Sequence, residues 1–335
     1  MKTILVNVVS DQAMPNLRFI KEFSNLADSF LFITTRQMEQ EGKTDRLIHA
    51  SHISTKKSHR IIVSPVNMKE IEERMLDFGL SEEVEYLVNI TGGTKPMSIV
   101  TLSVFSVFQH AKLFYIPIGE GTYRQVYPRI AKADQEFSIR ISLQEYFESY
   151  GLILLEKENK LSKNYQIAKG LFDLIVANRG NARLIPDIVN AHQNNNPSDK
   201  SYYSGGWFEE FIYWEIKKKL NLQNTEIAYN VKLRNQKSKN EYDVVFIWND
   251  SIYIVECKVF NEPHLREKVE KGLYKLGALD DDFGLKAHAV FVTTADIKGK
   301  SPDSNNSLSE RAKSLNVKLF QLRDIINNKF LNYLE

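Results

Sequence analysis

Residues 241 to 258, EYDVVFIWNDSIYIVECK, are two apolar runs around the polar pair Asn249-Asp250, and that pair dictates how the runs can fold. Asn and Asp tolerate the positive φ that a two-residue hairpin turn demands. With that turn, Trp248 faces Ser251, Asp243 faces Glu256 and Glu241 faces Lys258. Side chains alternate along a strand, so Glu241, Asp243, Val245 and Ile247 share a face with Ile252, Ile254, Glu256 and Lys258. Both faces of the hairpin are mostly apolar, as in strands covered on both sides. The exception is one charged corner. Opposed Cβ atoms lie ~5 Å apart, and two carboxylates at that separation repel by about 3 kcal/mol at an effective dielectric of about 20. Two readings stand. A hard divalent cation, Mg²⁺ or Mn²⁺, reverses the sign of the repulsion, with Lys258 beside it to hold a water or an oxyanion. Alternatively, Lys258 and Glu241 neutralise an exposed strand end.

The 335 residues suit two domains at roughly 150 residues each. Hydrophobic residues are 43% and charged residues 26% of the chain, an ordinary globular composition. No apolar run approaches the ~18 residues of a membrane span, which predicts a soluble protein without membrane contact. The start, MKTILVNVVSDQ, reads as a strand rather than a signal peptide. The single cysteine, Cys257, excludes an internal disulfide and a cysteine zinc cage and fits the reducing cytoplasm. A net charge of only +2 leaves polyanion binding to local patches. Lys217-Lys218-Lys219 is one such run, and Lys232, Arg234, Lys237 and Lys239 are another; solvated faces carry runs like these too.

The first domain, residues 1–135, alternates strand candidates at 3–9, 29–35, 60–65, 84–90 and 112–118 with amphipathic segments, the rhythm of a doubly wound, Rossmann-like α/β sheet. Residues 136–205 read as a helical connector with short extended pieces, ending in the Asn-rich stretch NAHQNNNPSDKSYYSGG. Residues 206–335 give a helix (WFEEFIYWEIKKKL), strands near 226–234, 241–248 and 251–259, a helix over 263–283, a strand at 288–294, a helix from 307 and the strand VKLFQ.

The second informative stretch is NITGGTKPMS, residues 89 to 98. It follows a strand and opens a helix, with Pro96 placed where its missing N–H costs nothing. Gly92 and Gly93 let backbone approach a ligand, and free N–H groups at the helix start favour an anion. Thr91, Thr94 and Lys95 add hydroxyls and a cation. The stretch is no P-loop, and the SDQAMPN loop after the first strand supplies no G-x-G-x-x-G, so a dinucleotide is not expected. A tight strand-to-helix connection without a ligand also accounts for two glycines here.

Asp243 followed after twelve residues by Glu256-Cys257-Lys258, with Asn240-Glu241-Tyr242-Asp243 as the N-E-x-D form, resembles the signature of the PD-(D/E)xK nucleases. The surrounding order of helix, hairpin, helix and strand is similar to the core of that superfamily. The resemblance implies phosphodiester hydrolysis with Mn²⁺ or Mg²⁺. Asp243, Glu256 and the Cys257 backbone carbonyl would bind the metal, and Lys258 would position water and offset developing charge. Glu209 would complete the acidic cluster, with Glu210 as the alternative register. A glutamate in the first turn of a helix is favoured by the macrodipole in any case. Lys275 and Glu241 are further candidates, Lys275 for the scissile strand, although a helix-surface lysine needs no such role. The Cys257 thiol points to the opposite face, into the core.

The TGGTK loop, set after a late strand of a Rossmann-like domain, resembles the ligand loop of CARF domains, the sensors of cyclic oligoadenylates in type III CRISPR systems. Together with the connector ISLQEYFESYGL, the resemblance covers nearly the whole chain and points to the ancillary nucleases of Card/Can type. It implies a Rossmann-like CARF sensor domain, a helical connector and a restriction-endonuclease-like α/β nuclease domain. Cyclic tetra-adenylate is the implied activator, contacted by Ser10, Asp11, Gln12, Asn16, Thr91, Gly92, Gly93, Thr94, Lys95 and Met97. A homodimer would present two copies of the loop to one symmetric ring. The implied activity is ligand-activated cleavage of single-stranded RNA, single-stranded DNA or both, with nicking of duplex DNA, in antiviral defence. Two alternatives are a ligand-controlled nucleic-acid-binding regulator without cleavage and a constitutive DNA repair nuclease.

Overall fold

The computed structural model describes residues 1–130, 133–158, 165–178, 201–235, 239–260, 265–277, 283–284, 287–296 and 302–334. The chain divides into two compact units, Met1–Ile153 with Asn249–Ser251 and Gly284–Lys286, and the remainder from Leu154. The division falls inside the stretch expected to be a connector. The Asn-rich stretch lies outside the described residues as far as position 200, as does Lys237.

The first unit is built on a sheet with strand order β3-β2-β1-β4-β5-β6-β7. These strands are β1 (Lys2–Val8), β2 (Ser29–Thr34), β3 (Ser58–Ile62), β4 (Val84–Asn89), β5 (Ala111–Tyr115), β6 (Thr122–Tyr127) and β7 (Gln135–Glu136). β1 to β5 pair in parallel, and β6 and β7 extend the edge antiparallel. Their apolar runs are covered on both faces, and Val6, Val8, Leu31, Ile33, Val88 and Leu113 sit in one core cluster. Chain order reverses between β1 and β4. The loops after those two strands therefore open together at the switch point, where doubly wound sheets bind ligands.

The second unit holds a sheet of order β13-β12-β11-β10-β9-β8. Its strands are β8 (Ile153–Glu158), β9 (Ile227–Arg234), β10 (Lys239–Trp248), β11 (Ser251–Lys258), β12 (Ala287–Thr293) and β13 (Val317–Phe320). β9 pairs antiparallel with β10, while β11, β12 and β13 run parallel. Asn249 and Asp250 have φ of 46° and 61°, the left-handed pair that the hairpin turn requires. The helix Trp207–Lys219 buries Trp207, Phe208, Phe211, Ile212, Tyr213 and Ile216 in a cluster that contains Val244, Phe246, Tyr253, Val255 and Cys257. Packing on that face fixes which side of the hairpin remains for charge.

β6 and β7 were not expected from the sequence, and β8 is one of the short extended pieces of the connector, taking up most of the run GLILLEK. The preceding helix, Leu143–Tyr150, stops at Gly151 with φ of 79°, and the chain leaves as a strand.

Candidate functional site

In the second unit the charged corner converges as the hairpin register predicts. Asp243 Oδ2 accepts hydrogen bonds from the Cys257 backbone N–H at 2.7 Å and from Lys258 Nζ at 3.2 Å. Lys258 Nζ also lies 2.7 Å from Glu256 Oε1. The other Glu256 oxygen is held by Lys275 Nζ at 2.9 Å, which also donates to the Glu241 carbonyl at 3.2 Å. Glu256 is thus clamped between two ammonium groups, with its side chain only 5% exposed. Lys275 arrives from the helix Leu265–Gly277, so two elements distant in sequence complete one site.

Glu209 and Glu210 separate cleanly. Successive helix positions point about 100° apart. Glu210 is fully buried and meets the Tyr202 hydroxyl inside the core. Glu209 is half-buried and faces the cluster, where burial, and then the charge of Asp243, hold its carboxyl up to about 8. Glu241 keeps its side chain exposed and contributes its main-chain carbonyl to Lys275.

Electrostatics show a surplus of negative charge. Burial, and then the Glu256 carboxylate, raise the Asp243 pKa, against the opposing pull of Lys258 and the Cys257 N–H. For Lys258 burial works against its charge, yet Asp243 and Glu256 outweigh it and hold the ammonium above its usual range. Lys258 is therefore a fixed cation at neutral pH and not a proton acceptor. Burial pushes the Cys257 thiol well up, and the side chain lies in the core.

Among the described residues, no three His, Cys, Asp or Glu side chains converge closely enough to cage a metal. The donor set nonetheless fits a hard cation of Mg²⁺ type, which binds through one or two carboxylates and completes its shell with waters and substrate phosphates. Asp243, Glu256 and the Cys257 carbonyl would hold it.

In the first unit, the loops after β1 and β4 are tied together beneath their surface. Asn89, the last residue of β4 and fully buried, donates to Asn16 Oδ1 at 2.8 Å and to the Pro15 carbonyl at 3.3 Å. Its own Oδ1 accepts the Thr91 N–H at 3.0 Å. Asn16 in turn donates to the Val8 carbonyl at 2.9 Å. Val8 also meets the glycines. A Cβ on Gly92 would stand 2.0 Å from the Val8 oxygen, and one on Gly93, at φ +74°, would stand 2.4 Å from Val8 Cγ1. Only glycine lets this loop lie so close.

The helix Lys95–Phe105 is capped by Thr94, whose hydroxyl accepts from Met97 N–H and donates to the Pro65 carbonyl. The Thr91 hydroxyl accepts from the Ile116 N–H at 2.8 Å, and Ser98 Oγ donates to the Gly92 carbonyl at 2.9 Å. Lys95 is exposed at the mouth, as is Asp11, which pairs with Lys43 at 3.0 Å. Ser10 and Gln12 are half-buried, with Ser10 Oγ donating to the Gln12 carbonyl at 3.3 Å.

Two expectations need correction. Met97 is 0% exposed in the core with Val6 and Val8, and Asn16 is 1% exposed with its amide held by Val8 and Asn89. Neither side chain is open to the surface; both support the loops after β1 and β4 from beneath. Asn89 was missed from the sequence, although a polar residue ending an apolar strand just before TGG is a readable signal.

Comparison with known proteins agrees with this division. Residues 4–146 match the Card1 CARF domain model, and residues 198–333 match the model of a Card1-like endonuclease domain. No curated protein matches the chain. Among solved structures, VC1899 from Vibrio cholerae is 17% identical with a TM-score of 0.77, covering 99% of this chain and 98% of its own. Can2 from Sulfobacillus thermosulfidooxidans, solved with cyclic tetra-adenylate, is 14% identical with a TM-score of 0.75, covering 99% of each chain. A type III CRISPR defence DNA nuclease activated by cyclic oligoadenylate is 16% identical with a TM-score of 0.62, over 91% of this chain and 47% of that one. At such identities the likeness shows the fold.

Proposed function

For a chain that belongs with the Card1-type proteins, joining a Card1 CARF domain to a Card1-like endonuclease domain, we propose ring-activated, metal-dependent phosphodiester hydrolysis. The activator is cyclic tetra-adenylate, as bound by the structural relative Can2, and the substrates are single-stranded RNA and DNA, with nicking of duplex DNA. The setting is type III CRISPR defence in the cytoplasm. The observation that carries the reading is the clamped carboxylate: Glu256 and Asp243 held against Lys258 at the end of an otherwise apolar hairpin.

A bound Mn²⁺ or Mg²⁺ supplies a Lewis acid and an activated water. The protein's own residues do the rest. Asp243 and Glu256 fix the donor oxygens, oriented by the Cys257 N–H and the two lysines. Lys258 keeps its charge throughout the neutral range and donates to the phosphate oxygens as negative charge builds on them. Glu209, whose carboxyl is held up to about 8 by burial and then by the charge of Asp243, adds a third carboxyl beside the pair. Apolar packing beneath the hairpin excludes water from below and strengthens each of these interactions.

In the first unit, two loops floored by Val8 and joined through Asn16 and Asn89 present backbone N–H groups and Lys95 to a phosphate. A homodimer doubles that surface around a two-fold symmetric ring. Activation is then a shift in population toward a cleaving state, and it requires that the ring bind that state more tightly.

The metal half of this account is tested with activated protein, labelled single strands and either Mn²⁺ or EDTA. Cleavage is expected with Mn²⁺ and is expected to vanish on chelation, returning when the metal is restored. Equal cleavage in EDTA would remove the metal from the mechanism.

A further inference from the structure

We propose that the lysine stripe of the helix Leu265–Gly277 binds the phosphate backbone of a single nucleic-acid strand and leads it into the carboxylate site. The inference rests on the nuclease reading of that site and adds the surface by which substrate is held.

The helix has a clear inner face. Val269, Leu273 and Leu276 are 0%, 0% and 1% exposed. Gly272 sits so tightly against the sheet that a Cβ there would stand 2.3 Å from Phe291 Cε2. Turned away from that face, Lys268, Lys271 and Lys275 are exposed at positions i, i+3 and i+7, which one side of a helix brings into line. A rise of about 1.5 Å per residue puts Lys271 about 6 Å and Lys268 about 10.5 Å along the axis from Lys275. Steps of this size match those between neighbouring phosphates of an extended strand.

Charge runs of this kind are usually solvated faces, and three features set this one apart. Its inner end is anchored in the site, because Lys275 Nζ contacts Glu256 and the Glu241 carbonyl. Of the two acidic residues of the helix, Glu270 is drawn off by Arg311 at 2.7 Å, while Glu267 stands one turn from Lys271 and offsets part of the charge there. Next to Lys275 in the chain, Tyr274 is 53% exposed, with the Arg311 guanidinium over its ring at 5.8 Å, an aromatic and a cation that together can receive a base. Positive charge that tracks a backbone together with an aromatic that stacks a base is the combination used for single strands.

The test measures the KM of the activated full-length protein for a labelled single strand across a range of NaCl. Each lost phosphate contact reduces the slope of log KM against log salt by about 0.7. The doubly substituted Lys268→Ala, Lys271→Ala protein is expected to lose about 1.4 from the slope and to raise KM about tenfold at low salt, with kcat within about twofold. Lys271→Gln alone should lose half as much, and Lys169→Ala, on another helix and paired with Asp173, should match wild type. Tyr274→Leu should raise KM and leave the slope intact. A double variant with the wild-type slope would overturn the proposal. Glu256→Gln run in parallel separates the two levels: if it is inactive while the lysine variants behave as wild type, only the stripe falls. If it still cleaves, the carboxylate site falls and the stripe with it.

Discussion

Replacing Glu256 with glutamine is expected to lower single-turnover cleavage by about a thousandfold or more, the scale seen when one preorganised charge-stabilising group is removed. Glutamine keeps the shape and the acceptor oxygen but removes the charge. Both ammonium groups that clamp Glu256, Lys258 at 2.7 Å and Lys275 at 2.9 Å, then face a neutral amide. The same change deprives a divalent cation of one of two carboxylates. Folding should survive, because the lysines are 39% and 45% exposed and can turn to water. A cost of about 1–2 kcal/mol is expected from weakening these contacts, read as a drop of a few degrees in the thermal midpoint. Loss of cleavage with the fold retained would locate the chemistry at this carboxylate. Cleavage within tenfold of wild type would move it elsewhere.

Gly92→Ala carries the second large effect, at the other site. The added Cβ would meet the Val8 carbonyl at 2.0 Å, and the obstacle is backbone, which cannot rotate aside as a side chain can. The loop must therefore lift from its floor. A displacement near 1 Å is enough to cost about a hundredfold where geometry carries the interaction. Titration calorimetry with cyclic tetra-adenylate is expected to show at least that loss of affinity. Gly93→Ala should follow with a smaller loss, since its obstacle is the side chain of Val8, with left-handed strain added. Wild-type affinity in the Gly92 variant would take the ring away from this loop.

Much of this was legible in the sequence, and the exceptions have a common cause. Strands β1 to β5 and β9 to β13 announce themselves by short apolar runs between turn signals, and the Asn249-Asp250 turn announces the hairpin. A two-residue period then places Asp243 and Glu256 together. β6 and β7 are short edge strands whose pairing depends on the sheet already being formed. Which of Glu209 and Glu210 joins the site is decided by helix packing alone, because adjacent carboxylates are chemically equal until Trp207 and Phe208 commit the helix to one side. Lys275 is a candidate for the scissile strand in the sequence, and only tertiary structure shows that it reaches Glu256. The CARF resemblance places Asn16, in the loop after the first strand, at the ligand, whereas the buried amide bridge to Asn89 is a contact between residues distant in sequence.

The central claim is that one site controls the other. The measurement that tests it most directly is cleavage of labelled single-stranded RNA and DNA in Mn²⁺, with and without cyclic tetra-adenylate at saturating concentration. The account predicts slow or absent cleavage without the ring and rapid cleavage with it. Equal rates in the two conditions would contradict it.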